Sequence, residues 1–348
     1  PGGTLPFPVR TVLTAIARAS GRHDAIAPES YDRTFETDLD GLLTPLGMKT
    51  ASWTSDGPVL TRASAPLAFI GAEATPSLRW AVKIVSPPGP PGEAWGDTHF
   101  ARGIADALRR LGQEVVIDAY DARARPSAHL DDVVLALRGP EPFAAQPGAI
   151  SFMWIISHPD QISAQEIASF DRVFAGSSSW AQSASQRFGR PVLPLLQCTD
   201  ATRFRPAGGL RTDEIVFVGT ARGIPRPSVL EPIRAGVPVS VYGPDWRGWI
   251  PAHAIKGLGV ANSNLPAVYE HASLVLNDHW PAMRDAGFVS NRLYDVVAAG
   301  GRAISDEVDG IGEIFEGFLG EQEGKRTKRV RRAAFEQLAE ALRAKVDG

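Results

Sequence analysis

The sequence predicts an α/β protein with two Rossmann-like, doubly wound domains that face each other across a cleft, preceded by an N-terminal extension. Short apolar runs alternate with helical stretches from about residue 80 onward, which is the pattern of βαβ units and of a parallel sheet. Two such series are separated by a segment containing glycine and proline, Arg203 to Arg211, which we interpret as an interdomain linker. The length of 348 residues suits roughly two domains of about 100–200 residues each.

The same pattern places the domain boundaries. We predict an N-terminal extension over residues 1–76, a first Rossmann-like domain over 77–205, a second over 206–325 and a basic amphipathic helix over 326–348. Within the extension, residues 9–19 and 38–46 fit helices and residues 58–70 fit a strand pair, but no motif there indicates a role.

In the first domain, apolar runs predict strands at 81–85, 114–117, 133–137, 151–156, 173–175 and 192–196. The first helix follows a loop from Pro87 to Gly96. Asp97 is a residue type that caps helices, and apolar residues after it recur about four apart, at Phe100, Ile104, Leu108 and Leu111. Gly112 suits the left-handed conformation that ends a helix.

In the second domain, strands are predicted at 214–218, 238–242, 273–276 and 302–305. The segment from Gly287 to Gly301 predicts a helix that begins at Ser290 or Asn291 and ends at the two glycines. We expect the carboxyl ends of the strands in both domains to face one cleft, because sheets of this kind bind ligands there.

Composition excludes several classes of protein. The net charge is −3, with 44% hydrophobic and 22% charged residues, which is ordinary for a globular protein and unlike a disordered one. The single cysteine, Cys198, excludes a disulfide scaffold. No apolar run approaches the ~20 residues of a membrane span, and the first residues do not resemble a secretory signal. We therefore expect a cytoplasmic location, and the near-neutral charge argues against nucleic acid as the main partner.

Two polar groups of the first domain are candidates for chemistry. Asp97 follows a loop rich in glycine and proline, whose backbone N–H groups are suited to a phosphate or sugar, although turn and cap roles explain the same residues. The loop lacks both the dinucleotide and the P-loop fingerprints. His158 follows a buried strand, where it suits a base or a donor to a substrate hydroxyl; the alternative is a loop histidine bonded to its own backbone.

The helix after Ser290 carries the most informative group of polar residues. Arg292 lies in its first turn, and a cation beside free N–H groups suits a diphosphate. Asp295 lies on the same helical face, where a carboxylate can accept two hydrogen bonds from a ribose diol. The local alternative is an ion pair between Arg292 and Asp295, worth only a few tenths of a kcal/mol.

Four stretches, in order along residues 78–320, together match a known family. They are Gly96-Asp97-Thr98-His99-Phe100-Ala101, then Trp154 to Asp160, then Gln197-Cys198-Thr199-Asp200 with Phe204 and Pro206, then Asn277 to Trp280 with Arg292 to Gly300. In these stretches the chain resembles a GT-B glycosyltransferase of the group-1 type, nearest to the CgeB-like branch. The family pattern has two glutamates eight apart, and Gly287 occupies the first of these positions. This departure leaves both retaining and inverting outcomes open.

The resemblance implies transfer of a sugar from a nucleotide-diphosphate sugar, such as a UDP- or GDP-sugar, bound between the domains. The acceptor (a glycan, lipid, protein or small molecule) would lie on the side of the first domain, and the nucleotide on the side of the second. It implies that His158 contacts the donor sugar, that Asp295 holds the ribose, and that the loop with Gly219, Thr220, Arg222 and Arg226 meets the diphosphate. We further expect catalytic roles for His158, Asp97 and Arg292, and nucleotide-sugar binding by Gly96, Asn291 and Arg292. Because three arginines can stabilise the leaving diphosphate and no Asp-x-Asp motif stands in the donor region, we expect neither a metal nor another cofactor.

Other functions remain open from the sequence. The strongest alternative is a carbohydrate- or nucleotide-binding protein that keeps the fold without turnover. An oxidoreductase is disfavoured by the missing dinucleotide fingerprint, and a nucleic-acid-modifying transferase by the overall charge. The basic run from Lys325 to Arg332 predicts a solvated helix face or, alternatively, peripheral contact with an anionic membrane.

Overall fold

The computed structural model describes residues 48–54, 57–62, 67–70 and 73–315. The helices predicted at 9–19 and 38–46 and the basic helix at 326–348 lie outside these residues. Within the described part of the chain, no helix combines the length and the apolar character that crossing a bilayer requires.

Two antiparallel hairpins precede the first domain. β1 (Met48–Thr54) pairs with β2 (Gly57–Arg62), and β3 (Leu67–Ile70) pairs with β4 (Glu73–Pro76). The sequence predicted one pair within residues 58–70. Its two strands exist as β2 and β3, but each pairs with a neighbour outside that range.

The first domain is built on a six-stranded parallel sheet with the order β10-β9-β8-β7-β5-β6. Its strands are β5 (Arg79–Lys83), β6 (Glu114–Asp118), β7 (Val133–Arg138), β8 (Ile150–Ile155), β9 (Arg172–Ala175) and β10 (Val192–Pro194). Every residue of β7 is buried, as expected for a central parallel strand covered on both faces. All six predicted strands are therefore confirmed, with ends shifted by one or two residues.

Helices cover both faces of this sheet. α1 (Gly96–Arg110) packs on the face that carries Trp80 and Trp154, whereas α2 (Ala164–Ser169) and α3 (Ser178–Phe188) pack on the other. The predicted stop of α1 is confirmed, because Gly112 adopts φ of 72° two residues after the helix ends.

The second domain has a five-stranded parallel sheet with the order β13-β12-β11-β14-β15. Its strands are β11 (Ile215–Val218), β12 (Val239–Tyr242), β13 (Ile255–Gly257), β14 (Leu274–Asn277) and β15 (Ala303–Ser305). Its helices are α4 (Pro227–Arg234), α5 (Leu265–His271), α6 (Pro281–Asp285), α7 (Asn291–Ala298) and α8 (Ile311–Phe315). The sequence missed β13, since this three-residue edge strand has an exposed lysine at its centre and no apolar run.

The segment after α6 joins the two domains. Phe288 is fully buried in the core of the first domain, with its ring 5.7 Å from that of Trp180. The hydroxyl of Ser177 donates a 2.7 Å hydrogen bond to the carbonyl of Ala286. This docking fixes the loop that leads into α7 against the first domain.

The predicted linker is also held in place. Phe204 stacks on Tyr269 in the second domain. The carboxylate of Glu270 accepts hydrogen bonds from the backbone N–H groups of Ala207, Gly208 and Gly209. The segment is therefore an ordered strap on the second domain.

Candidate functional site

Each sheet has a point where the strand order reverses, and the predicted site residues gather at these two points. In the first sheet the reversal lies between β5 and β7, and in the second between β11 and β14. Loops leaving the carboxyl ends of such neighbouring strands run in opposite directions and leave a crevice, which is where open α/β sheets bind ligands.

Asp97 lies in the first turn of α1, at the crevice of the first domain. Its Oδ2 atom is buried and has no hydrogen-bond partner among the described residues. A side chain at Gly139 would bring a Cβ within 3.5 Å of that oxygen and 3.8 Å of Ser157 Oγ, so the glycine keeps a small space open. Burial raises the pKa of Asp97 to about 6, and its own backbone N–H offsets part of this rise. A carboxyl group with such a pKa is suited to accept a proton near neutral pH.

His158 lies beside this space, three residues after the end of β8. Its backbone is left-handed, with φ of 52°, and its Nδ1 lies 2.9 Å from Ser157 Oγ. The side chain thus bonds a neighbouring hydroxyl. Burial lowers the pKa of His158, and the charges of Arg138 and Arg222 add to this while Asp160 opposes it. The imidazole is therefore neutral at neutral pH.

The second domain contributes two arginines that are held in place by the protein. Arg226 forms a buried ion pair with Asp278 and donates to the carbonyl of Thr220. Arg292 donates to Oδ1 of Asn277 at 2.7 Å and to the carbonyl of Val218 at 2.8 Å. No ion pair between Arg292 and Asp295 occurs among the described residues, so the local alternative considered from the sequence is not formed.

Arg222 differs from both. Its guanidinium has neither a hydrogen bond nor an ion pair among the residues the structure describes, and its Cζ lies 5.0 Å from the centre of the Trp280 ring. Arg222 is exposed, yet neighbouring groups displace part of the hydration of its guanidinium. This displacement and the charges of Arg226 and Arg292 lower its pKa to about 10, which leaves it a cation at neutral pH. A free cation among two fixed cations favours an anionic ligand.

Two glycines allow the loops after β11 and β12 to touch. A Cβ at Gly243 would lie 2.0 Å from the carbonyl oxygen of Gly219, and a Cβ at Gly219 would lie 3.0 Å from Nη2 of Arg292. Thr220 bonds Asp245 at 3.1 Å. The predicted residues Gly219 and Thr220 thus form a tight turn directly beside the arginines.

Asp295 lies between the domains. Its Oδ1 accepts a 2.5 Å hydrogen bond from the hydroxyl of Thr199, and the amide of Asn291 lies 3.4 Å from both of its oxygens. Burial raises the pKa of Asp295 to about 7, against the opposing effects of Thr199, Arg203, Arg292 and Asn291. The other amide atom of Asn291, Oδ1, is buried without a partner among the described residues, so the start of α7 offers an unused acceptor.

The structure brings most of the predicted residues together. His158 reaches the second domain through Trp280, whose ring centre is 6.1 Å from the imidazole, and Trp280 in turn contacts Arg222. Gly96 precedes Asp97 at the start of α1, where it is exposed. Asp295 and Asn291 lie on the same helix as Arg292, but Asp295 points to Thr199.

Sequence reasoning missed three residues of the site. Asp278 and Trp280 belong to a stretch that carried the family resemblance, but no local pattern showed that they contact Arg226 and Arg222. His279 is the third: its Nε2 accepts from the backbone N–H of Ser290 and its Nδ1 lies 2.6 Å from Asp306. It thereby supports the start of α7, a role that no spacing in the sequence indicates. Within residues 73–315 and the described hairpins, no group of three His, Cys, Asp or Glu side chains is arranged to hold a metal ion.

Comparison with known proteins gives one family and several structures. Residues 226–345 match the family model described as glycosyl transferase-like. A glycosyltransferase involved in avilamycin A biosynthesis is 17% identical, with a TM-score of 0.45 over 75% of this chain and 88% of that chain. An α-glucosyltransferase in complex with UDP and a 13-mer DNA is 10% identical, with a TM-score of 0.42 over 66% and 80%. The phage T4 enzyme BGT in complex with its UDP-glucose substrate is 11% identical, with a TM-score of 0.40 over 68% and 83%. No curated protein matches.

Proposed function

We propose that this protein is a GT-B glycosyltransferase, of the CgeB-like branch, that moves a sugar from a nucleotide-diphosphate sugar to an acceptor hydroxyl. The observation that carries the proposal is a juxtaposition at the two reversal points. Asp97, whose buried Oδ2 has no partner among the described residues, stands on the first domain. Arg222, a cation with no ion pair among those residues, stands on the second, and His158 and Trp280 lie between the two domains. The match of residues 226–345 to the glycosyl transferase-like family model supports the same assignment for the second domain.

The chemistry follows from these positions. Asp97 accepts the proton of the acceptor hydroxyl while the hydroxyl oxygen bonds to the anomeric carbon of the donor sugar. The bond from that carbon to the diphosphate oxygen breaks, and both of its electrons go to the diphosphate. Arg222 donates hydrogen bonds to this leaving group, while Arg292 and the first N–H groups of α7 supply positive potential. Arg226 braces the loop, because its own charge is used by Asp278. His158 contacts the donor sugar, and Asp295 the ribose.

The charges near the crevice of the first domain indicate which kind of acceptor it suits. The segments that follow β5, β7 and β8 carry the carboxylates of Asp97, Glu141 and Asp160, whereas Arg102 nearby is paired with Glu93. A polyanion such as DNA or RNA would meet carboxylates here instead of free cations. We therefore propose a neutral hydroxyl acceptor. A cytoplasmic location and a membrane contact through Lys325 to Arg332 stay predictions from the sequence.

The test is release of nucleoside diphosphate from a panel of UDP- and GDP-sugars by the full chain, compared with the Asp97→Asn variant. Transfer or slow hydrolysis by the wild type, reduced about 10²–10⁴-fold in Asp97→Asn, is expected for loss of a general base. Thermal stabilisation by a nucleotide, about 2.7 kcal/mol at 100 times its Kd, with no turnover of any donor would identify the alternative, a binding protein on the same fold.

A further inference from the structure

Trp280 touches functional groups of both domains. It follows β14 by three residues and directly precedes α6. Its ring centre lies 6.1 Å from that of His158, with an angle of 54° between the planes, and 5.0 Å from Cζ of Arg222. A single indole ring therefore lies against the histidine after β8 and the unpaired arginine after β11.

Among the residues that the structure describes, no carboxylate pairs with Arg222, and the indole of Trp280 is the group that contacts its guanidinium. The backbone of Arg222 is left-handed, with φ of 61°, and two further arginines stand close enough to lower its pKa. A guanidinium over an indole face is attracted by the ring while its N–H groups remain available in the ring plane. Stacking on Trp280 thus holds the cation in the cleft without using its hydrogen-bond donors.

The position of Trp280 is in turn set by the docking of the two domains. Its carbonyl accepts the hydrogen bond from Arg284 N that closes the first turn of α6. Met283 and Ala286 pack against the core of the first domain, and Phe288 is buried in it. The ring is thus anchored on the side of the first domain while it supports an arginine of the second.

We propose that Trp280 is a positioning residue, which presents the free guanidinium of Arg222 to a diphosphate and places it beside His158. The identification of the anion as a diphosphate rests on the proposed function. Without the indole, two carboxylates near the same turn become competing partners for Arg222. Asp278 already attracts its charge, and Asp245 lies across the same turn, bonded to Thr220. The donors would then be used within the protein.

The first test measures affinity for inorganic pyrophosphate and for UDP by calorimetry. We expect Trp280→Leu to weaken both about tenfold and Trp280→Phe, which keeps a ring face, to stay within about threefold of the wild type. In an Arg222→Gln background, Trp280→Leu should have no further effect. Trp249→Leu, at another partly exposed tryptophan of the second domain, is the matched control and should leave affinity unchanged.

The second test follows the imidazole of His158 by NMR titration. Because the charge of Arg222 lowers the pKa of His158, Trp280→Leu should raise that pKa, and the rise should be smaller in the Arg222→Gln background. An effect of Trp280→Leu on affinity that is the same with and without Arg222, or a His158 titration that it leaves unchanged, would overturn the proposal.

The two proposals fail in different ways. If the wild type binds pyrophosphate and UDP with the coupling described but turns over no donor sugar, the transferase assignment falls and the role of Trp280 stands. If the wild type transfers sugar but the Trp280 and Arg222 substitutions act independently, the positioning role falls alone. If the wild type binds neither anion, both fall.

Discussion

The hydroxyl of Thr199 donates a 2.5 Å hydrogen bond to Oδ1 of Asp295, and this bond joins the end of the first domain to a helix of the second. Asp295 is also the residue that the family resemblance assigns to the ribose of the donor. If the nucleotide binds as proposed, it shares the carboxylate of Asp295 with this contact between the domains.

The buried state of Asp295 predicts a pH-dependent stability. Its pKa is about 7 in the folded protein, compared with about 3.9 in an unfolded chain. Between these values the folded state keeps a proton that the unfolded state has released, so the free energy of unfolding falls as pH rises through this window. In Asp295→Asn that contribution is absent, and stability should fall less between about pH 4.5 and about pH 7.5.

Denaturant unfolding of both proteins across this range measures the difference. Asp97, whose pKa is raised to about 6, contributes in the same direction in both proteins and cancels in the comparison. Parallel stability curves for the wild type and Asp295→Asn would show that the carboxyl group is not titrated in this window.

Substitution by methionine should lower stability at Arg226 and nucleotide affinity at Arg222. Arg226→Met leaves Asp278 buried without its counter-charge, which costs about 3–5 kcal/mol of stability. Arg222→Met removes no ion pair among the described residues, and the relief of repulsion between arginines offsets the lost stacking on Trp280. Stability should therefore change by less than about 1 kcal/mol while nucleotide affinity falls. Replacing both members of the pair, Arg226→Met with Asp278→Leu, should recover much of the lost stability. Melting temperatures and nucleotide titrations of the three variants distinguish structural support by Arg226 from ligand binding by Arg222. Equal destabilisation by the two single substitutions would argue against these separate roles.

The contact between the loops after β11 and β12 predicts a strict requirement for glycine. In Gly243→Ala the new methyl group meets the carbonyl oxygen of Gly219 at 2.0 Å, and the two loops must move apart. We expect a loss of about 1–3 kcal/mol of stability and weaker nucleotide binding. Gly259→Ala is the matched control, since a Cβ there has no atom within 4 Å, and its effect should stay below about 0.5 kcal/mol. Chemical denaturation of both variants tests this, and a neutral Gly243→Ala would mean that the loops separate at no cost.

Activity is expected to persist in EDTA. In the proposed mechanism Arg222, Arg292 and the start of α7 stabilise the charge that develops on the leaving diphosphate, so this stabilisation does not need a divalent ion. The measurement is donor turnover before and after chelation, with Mn²⁺ or Mg²⁺ added back. Turnover that disappears with EDTA and returns with either ion would contradict the expectation.

The strands could be predicted because a buried parallel strand is largely apolar. In β7 and β8, where nearly all residues are buried, only Arg138 and Ser151 are polar. The edge strand β13 escaped prediction, since an edge position tolerates the polar Lys256 and gives no apolar run. Helix α7 was predicted from its flanking residues, yet its start is supported by His279, twelve positions before the first helical residue, through a contact that spacing does not encode.

The order of apolar runs, glycines and polar residues in the chain is sufficient to establish two parallel α/β domains and to place Asp97, His158, Arg222 and Arg292 at strand or helix ends, because periodicity and turn chemistry are local properties. The partners of those residues are set by the folded arrangement. Arg226 and Asp278 are 52 positions apart, and Thr199 and Asp295 are 96 apart. Which arginine is neutralised by a carboxylate and which stays free depends on distances across the sheet and between the domains. Residues so far apart in the chain come into contact only through three-dimensional packing, so local sequence patterns do not encode these pairs.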